Sequence, residues 1–377
     1  MSADDPAILF LSASYGSGHN AAGAAIAEAL SELRPGLRVE AMDYFGRFVG
    51  PITRALVTLS FVQSIRHAPG LYRSFYWRTA ELPLGSTAHR RLHRVGQDGF
   101  ARFCGQMAYR AIVCLHNTPA GAVSELRAAG VVTCPVAVVV TDHAVHSQWM
   151  HPGADVTLVP SESVREGFIA RGLAAERVRH TGIPVRRAFA EPGDRDAARR
   201  EFGLEPSRPV VLVGPEAFGA TRGAREAFAV LSALPAAQVV FLGGTGARAV
   251  GVRERLAGRH ADRMRAIGHT DAMHRLMGAA DLMVTKAGGI TVSEALACGL
   301  PLLLHRPLPG HEEWNVRYVT EGGAGVLSSG ARELAEHLRG LLGAPDRLRA
   351  MSERARALGQ PDAARRAAEA LVGLCGI

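Results

Sequence analysis

The chain has 377 residues, 47% hydrophobic and 21% charged, the balance of a folded globular protein but too long for one compact core. Its formal net charge of +8 is carried almost wholly by arginine, Lys286 being the only lysine; the arginines are scattered, so they spell no nucleic-acid module and read either as coding bias or as attraction to anionic lipid and phosphate. Five cysteines without CxxC spacing read as buried thiols in a reducing cytosol, MSADDP is no secretory signal, and no apolar run reaches the ~18 residues of a membrane span.

In chain order the pattern is strand then helix, repeated. AILFLSA (7–13) leads into a helix over 20–33, and LRVEAMD (37–43) follows. AIVCLH (111–116) precedes a helix over 119–129, and PVAVVVTD (135–142) and VTLVPS (156–161) are further strands. A second series runs PVVLVG (209–214), QVVFLGG (238–244), RMRAIG (263–268), DLMVTKAG (281–288) and PLLLHRP (301–307). Near-continuous apolar runs separated by helices predict parallel sheets covered on both faces. Two such series predict two doubly wound domains, with a break in the Pro-, Gly- and charge-rich stretch 181–200.

Residues 44–94 do not fit the alternation. Apolar and aromatic residues recur there among Arg66, Arg73, Arg78, Arg90, Arg91 and Arg94. The stretch 52–65 is expected to form an amphipathic helix, with Phe75, Tyr76 and Trp77 behind it, and the insertion to dock at a bilayer with arginine at the headgroups. The plainer alternative is a helical pair packed on the first domain.

Two glycine turns carry the chemistry. SYGSGHN (14–20) strips side chains away between a strand and a helix and leaves His19 exposed at the hinge, where an imidazole suits a general base at neutral pH. TKAGGITVSEAL (285–296) repeats the device. Amides at the helix start expected near Thr291 can bind phosphate, Gly288 and Gly289 permit close approach, and Lys286 adds positive charge. Glu294, one turn on, can accept two hydroxyl hydrogen bonds from a ribose.

The run 285–315 resembles the nucleotide-sugar signature of family 28 glycosyltransferases. Within that family it is most similar to monogalactosyldiacylglycerol synthases and bacterial diacylglycerol glucosyltransferases. The likeness rests on Thr285, Lys286, Gly288, Thr291, Glu294, Gly299, Pro301, Pro309, Gly310, Glu312 and Asn315. It departs at His311, where the family has Gln, so the sugar stays open among galactose, glucose and N-acetylglucosamine. VVTDHAVHSQWMHPGADVTLVPSE (139–162), TGIPV (181–185) and IGHTDAMHRLMGAADLMVTKAG (267–288) extend the likeness over most of the chain.

The resemblance implies an α/β chain of two Rossmann-like doubly wound domains facing a cleft, the GT-B type. Residues 1–185 would bind the acceptor and carry the 44–94 insertion; 186–355 would bind the UDP-sugar; a helix in 356–377 would pack back on the first domain. It implies inverting transfer of galactose or glucose from a UDP-sugar to the 3-hydroxyl of diacylglycerol, by a peripheral enzyme on the inner face of the cell membrane, with no cofactor or metal and no nucleic-acid partner. His19 would be the base and Asp142 its partner or substitute. Gly16 and Gly18 would form the acceptor and phosphate loop. Gly219, His269, Thr270, Lys286, Gly288, Gly289, Thr291, Glu294, His311, Glu312 and Asn315 would hold the donor. A polyprenyl lipid or a soluble natural product is the alternative acceptor, and a non-catalytic nucleotide-sugar-binding protein the alternative class. Other readings of the residues are weaker. His143, His146 and His151 match no strong zinc spacing, Asp194-Arg195-Asp196 reads as a helix start in the linker, and GTGARA (244–249) lacks the spacing of a dinucleotide site.

Overall fold

The computed structural model describes residues 6–13, 17–92, 94–214, 234, 236–242 and 260–377. The chain divides into two units. The first is Met1–Arg187 with Pro309–Trp314 and Asp362–Ile377; the second is Ala188–Leu308 with Asn315–Pro361.

In the first unit, β1 (Ile8–Ser12), β2 (Val39–Asp43), β3 (Ala111–Cys114), β4 (Val136–Val139), β5 (Val156–Val159) and β6 (Val178–His180) form a parallel sheet in the order β2-β1-β3-β4-β5-β6. Every residue of β1, β3, β4 and β5 is buried, which is why these strands read as unbroken apolar runs. The register pairs Ser12 with Asp43 and Leu11 with Cys114, so the strands end together along one edge. Helix α1 (Ser17–Leu33) starts from that edge. Its glycine and alanines let it lie close on the sheet: a Cβ on Gly23 would come within 2.7 Å of Leu115 Cδ1.

The 44–94 insertion is helical: α2 (Tyr44–Phe48), α3 (Pro51–His67), α4 (Pro69–Ala80) and α5 (Thr87–Leu92), followed by α6 (Gln97–Cys104). Asp43 caps α2 by accepting from Phe45 N–H at 3.1 Å, and proline opens both α3 and α4, where its missing N–H costs nothing. Tyr44, Phe45 and Phe100 are buried and join the sheet's core. Helix α3 is no amphipathic element. Its apolar residues are distributed all round the axis, and Ile52 (76% exposed), Leu56, Leu59, Phe61 and Val62 all face solvent. Helices α7 (Asn117–Ala128) and α8 (Glu162–Ala170) cover the sheet farther on.

The second unit repeats the plan with β7 (Val210–Val213), β8 (Gln238–Leu242), β9 (Met264–Ile267), β10 (Leu282–Thr285), β11 (Leu302–His305) and β12 (Gly325–Ser328), parallel in the order β12-β11-β10-β7-β8-β9. Its described helices are α9 (Arg195–Glu201), α10 (Met273–Ala279), α11 (Gly289–Ala297), α12 (His311–Glu321), α13 (Ala331–Leu342) and α14 (Pro345–Leu358). The first turn of α12 counts with the first unit. Helix α15 (Ala363–Cys375) also belongs to the first unit, where its buried alanines lie against α1 and Arg366 donates to the Thr181 carbonyl at 3.1 Å. No described helix is long and apolar enough to cross a membrane.

Candidate active site

In the first unit the predicted base stands on the carboxyl edge of the sheet, where α/β folds place their ligands. His19 lies in the first turn of α1 and is partly buried. Its Nδ1 is 3.1 Å from the Thr141 hydroxyl, and the ring also hydrogen-bonds to the Leu115 carbonyl. The ring of His116 meets it edge-on, with centroids 4.9 Å apart. His116 is itself fixed, its Nδ1 accepting from Thr118 N–H at the start of α7. Burial pushes the His19 pKa down, the charge of Asp142 and the Leu115 bond pull it up, and His311 pushes it down again. Burial wins. The ring is therefore neutral and able to accept a proton at pH 7.

A cluster the sequence did not reveal lies near Asp142. Tyr72 and Tyr76 of α4 feel the Asp142 charge, and both hydroxyls are raised first by burial, Tyr72 to about 12. The Tyr76 ring lies 4.3 Å from that of His146. Tyr76 and Trp77 therefore do not share an outward aromatic patch with Phe75. Trp77 donates to Glu313 Oε2 at 3.2 Å and packs on Trp314, while Arg73 donates to Glu313 Oε1 at 2.7 Å. Burial pushes the Glu313 carboxyl up, but hydrogen bonds from Arg73, Gly310 N–H and Trp77 outweigh it and hold the group below the usual range. Gly310 has φ +86°, and a Cβ there would strike Tyr76 Cγ at 2.7 Å, so only glycine fits. His311 and Glu312 stand in this same segment, Glu312 buried. Leu71 (75% exposed) and Phe75 (52%) occupy the outer face of α4.

Of the histidines of 143–151, His146 and His151 have structural partners. His146 Nδ1 accepts from Gln148 N–H and its Nε2 lies 3.1 Å from the Tyr76 carbonyl; His151 Nε2 lies 2.8 Å from the Gln148 carbonyl. Burial drives His143 down to about 3 and His146 to about 4. His146 ties α4 to the turn after β4.

In the second unit β10 ends at Thr285 as expected, but α11 opens at Gly289, two residues before Thr291. Gly288 is its N-cap with no side-chain bond, so the first amides of α11 lack a capping side chain. Gly288 has ordinary β dihedrals, and a Cβ there would meet nothing within 4 Å. Neither backbone strain nor packing demands that glycine; it leaves room beside the amides. Lys286 and Glu294 flank this turn, both partly buried. The buried Asn315 donates from Nδ2 to the Ala287 carbonyl at 2.8 Å, which fixes the turn's shape. His269 and Thr270 follow β9 on the same edge of the sheet. His269 is exposed, 3.8 Å from Asp271, and Thr270 Oγ1 accepts from Ala272 N–H. Gly16, Gly219 and GTGARA lie outside the described residues. Asp194 caps α9 by accepting from Ala197 N–H, and Arg195 pairs with Asp281.

Residues 19–185 match the family Monogalactosyldiacylglycerol (MGDG) synthase, and residues 219–358 match Glycosyl transferases group 1. The chain is a glycosyltransferase. This glycosyltransferase is 25% identical over 351 residues to a processive diacylglycerol beta-glucosyltransferase of Bacillus licheniformis, covering 93% of this chain and 90% of the relative. Among solved structures, MurG of Acinetobacter baumannii aligns at TM-score 0.60 and 16% identity, over 98% of this chain and all of that one. Anabaena Alr3699/HepE in complex with UDP aligns at TM-score 0.54 and 16% identity, over 97% and 100%. The glycosyltransferase thus has the two-domain α/β fold of GT-B enzymes.

Proposed function

We propose that the chain transfers a hexose from a UDP-sugar to the 3-hydroxyl of diacylglycerol at a membrane surface, with inversion at the anomeric carbon. The observation that carries the reading is His19, neutral and oriented at a sheet edge, in a segment that matches the MGDG synthase family. His19 takes the hydroxyl proton as the acceptor oxygen attacks the anomeric carbon. The bond from that carbon to the diphosphate breaks with its electron pair, and UDP leaves. The amides that open α11 and Lys286 stabilise the leaving diphosphate, which calls for no metal. Glu294 holds the ribose.

The lipid side of the reading is supported by the curated relative's name and by α3 and α4. Ile52, Leu56, Leu59, Val62, Leu71 and Phe75 are all exposed, and burying each recovers roughly 1.5–3 kcal/mol. An interfacial arginine such as Arg90 or Arg91 adds about 1 kcal/mol. Apolar contact therefore dominates binding, and salt weakens it only in part. The test is a screen of UDP-glucose, UDP-galactose and UDP-N-acetylglucosamine against diacylglycerol in liposomes, with and without EDTA, read by mass spectrometry. Transfer of a hexose that survives EDTA is expected. Transfer only to a polyprenyl or soluble acceptor, or activity restored only by manganese or magnesium, overturns the corresponding part.

A further inference from the structure

We propose that a pocket between β2 and α3 takes one hydrocarbon chain of the lipid acceptor. The inference rests on the acceptor reading above and adds a chain subsite to it. One wall is Pro51, Arg54, Ala55, Thr58, Leu59 and Val62. Their spacing defines a single face of α3. Asp43 and Phe45, where β2 passes into α2, line the rest. The pocket is a groove open to solvent, where Leu59 and Val62 stay exposed, of about 650 Å³, within the usual span of small-molecule sites. From Pro51 to Val62 the wall runs about 16 Å at the helical rise.

Charge and position select the occupant. Asp43 and Arg54 are the only charged residues of the lining and are opposite in sign, so the pocket is neutral overall. The Asp43 carboxylate already caps α2 and would oppose an anion. Arg54 offers donors that suit the ester carbonyls of a glycerolipid. The Phe45 ring lies 5.9 Å from that of His116, which stands 4.9 Å from His19, so pocket and base are two ring contacts apart. A chain seated here leaves the ester and hydroxyl end of the molecule beside the edge that bears His19. The remaining exposed faces of α3 continue the apolar surface outward through Ile52 and Leu56. A lipid lifted from a bilayer surrenders apolar surroundings, and the pocket replaces them for one chain.

The test fills the pocket with Ala55→Trp and puts the same ring on another face of α3 with Val57→Trp. Transfer is measured to dioleoylglycerol and to dioctanoylglycerol in mixed micelles. Ala55→Trp is expected to lower kcat/KM for the long chains roughly tenfold while changing the short-chain rate far less, and Val57→Trp to match the wild type. An equal loss on both lipids, or none, overturns the subsite. A dioleoylglycerol analogue with a mid-chain diazirine, photolysed with the enzyme and mapped by mass spectrometry, is expected to label residues 43–62. Labelling elsewhere overturns the subsite whether or not sugar is transferred. Labelling of 43–62 by an analogue to which the wild type transfers nothing keeps the chain pocket and defeats the acceptor reading.

Discussion

The two sheets end in edges that work by different means. The first unit's edge is built from side chains: His19 is held by Thr141, Leu115 and His116, while Tyr72 and Tyr76 feel the charge of Asp142 and Tyr76 packs on His146. The second unit's edge is built from backbone: a strand end, two glycines and the uncapped amides of α11, shaped by Asn315. Side chains in a buried network titrate and can exchange protons. Amides at a helix start cannot titrate, but they present fixed dipoles that need no reorganisation. Proton transfer thus suits the first edge and phosphate stabilisation the second.

The largest test of that contrast is His19→Ala. A loss in kcat of about 10²–10⁴-fold is expected, with UDP affinity by calorimetry nearly unchanged. Because burial holds the His19 pKa below 6.5, the wild-type rate should fall on the acid side, with a midpoint below that value. A loss under tenfold, with Asp142→Asn instead abolishing the rate, would falsify the assignment and make Asp142 the base.

Acid should next separate the units. His143 and His146 have folded pKa values of about 3 and about 4 against 6.5 unfolded. Between those values the unfolded chain binds more protons, so stability is whole above pH 6.5 and drains away as pH falls. His146 alone contributes about 3 kcal/mol by pH 4. Hydrogen-exchange protection around β4 and α4, corrected for the intrinsic slowing of exchange in acid, should fall between pH 6 and about 4. Corrected protection there that ignores pH would mean that these rings are not buried neutral.

Glu294→Ala belongs to the other edge. Losing a charge-assisted hydrogen-bonded carboxylate should cost about 1.5–3 kcal/mol, or roughly 10–150-fold in UDP affinity, with kcat at saturating donor changed far less. Unaltered calorimetric binding would remove the nucleotide from α11. Thr141→Val should have the smallest effect. Losing one neutral hydrogen bond to His19 costs about 0.5–1.5 kcal/mol, a fall in kcat of roughly 2–10-fold at constant donor KM. A change confined to donor KM would detach Thr141 from the base.

The same contrast governs what was legible in the chain. The backbone edge announces itself locally, because glycines, a lysine and a helix start must be contiguous to work. Buried strands were equally plain. The strands β6 and β12 were not: VRH and GVLS alternate or mix polarity where a central strand runs apolar. His19 was visible at its glycine hinge, but Thr141, His116 and the Tyr72–Tyr76 pair of α4 come from three distant segments. Nothing in local spacing joins those three segments. The aromatic trio 75–77 shows the limit: one helix turn carries Phe75 outward and Tyr76 and Trp77 inward, and only the helix's neighbours decide which. For α3 the expected stripe failed, because its apolar residues surround the axis.

Lys286 has a practical consequence. It is the only side-chain amine among these 377 residues and stands at the turn between β10 and α11. Amine-directed reagents, which scatter over the surface of most proteins, here find a single ε-amino target. A dye or spin label coupled through it would report on that turn alone, and protection by added nucleotide would measure occupancy of the turn without any turnover. Lysine acetylation, for the same reason, could act on this chain at one side chain only, and would remove the positive charge there.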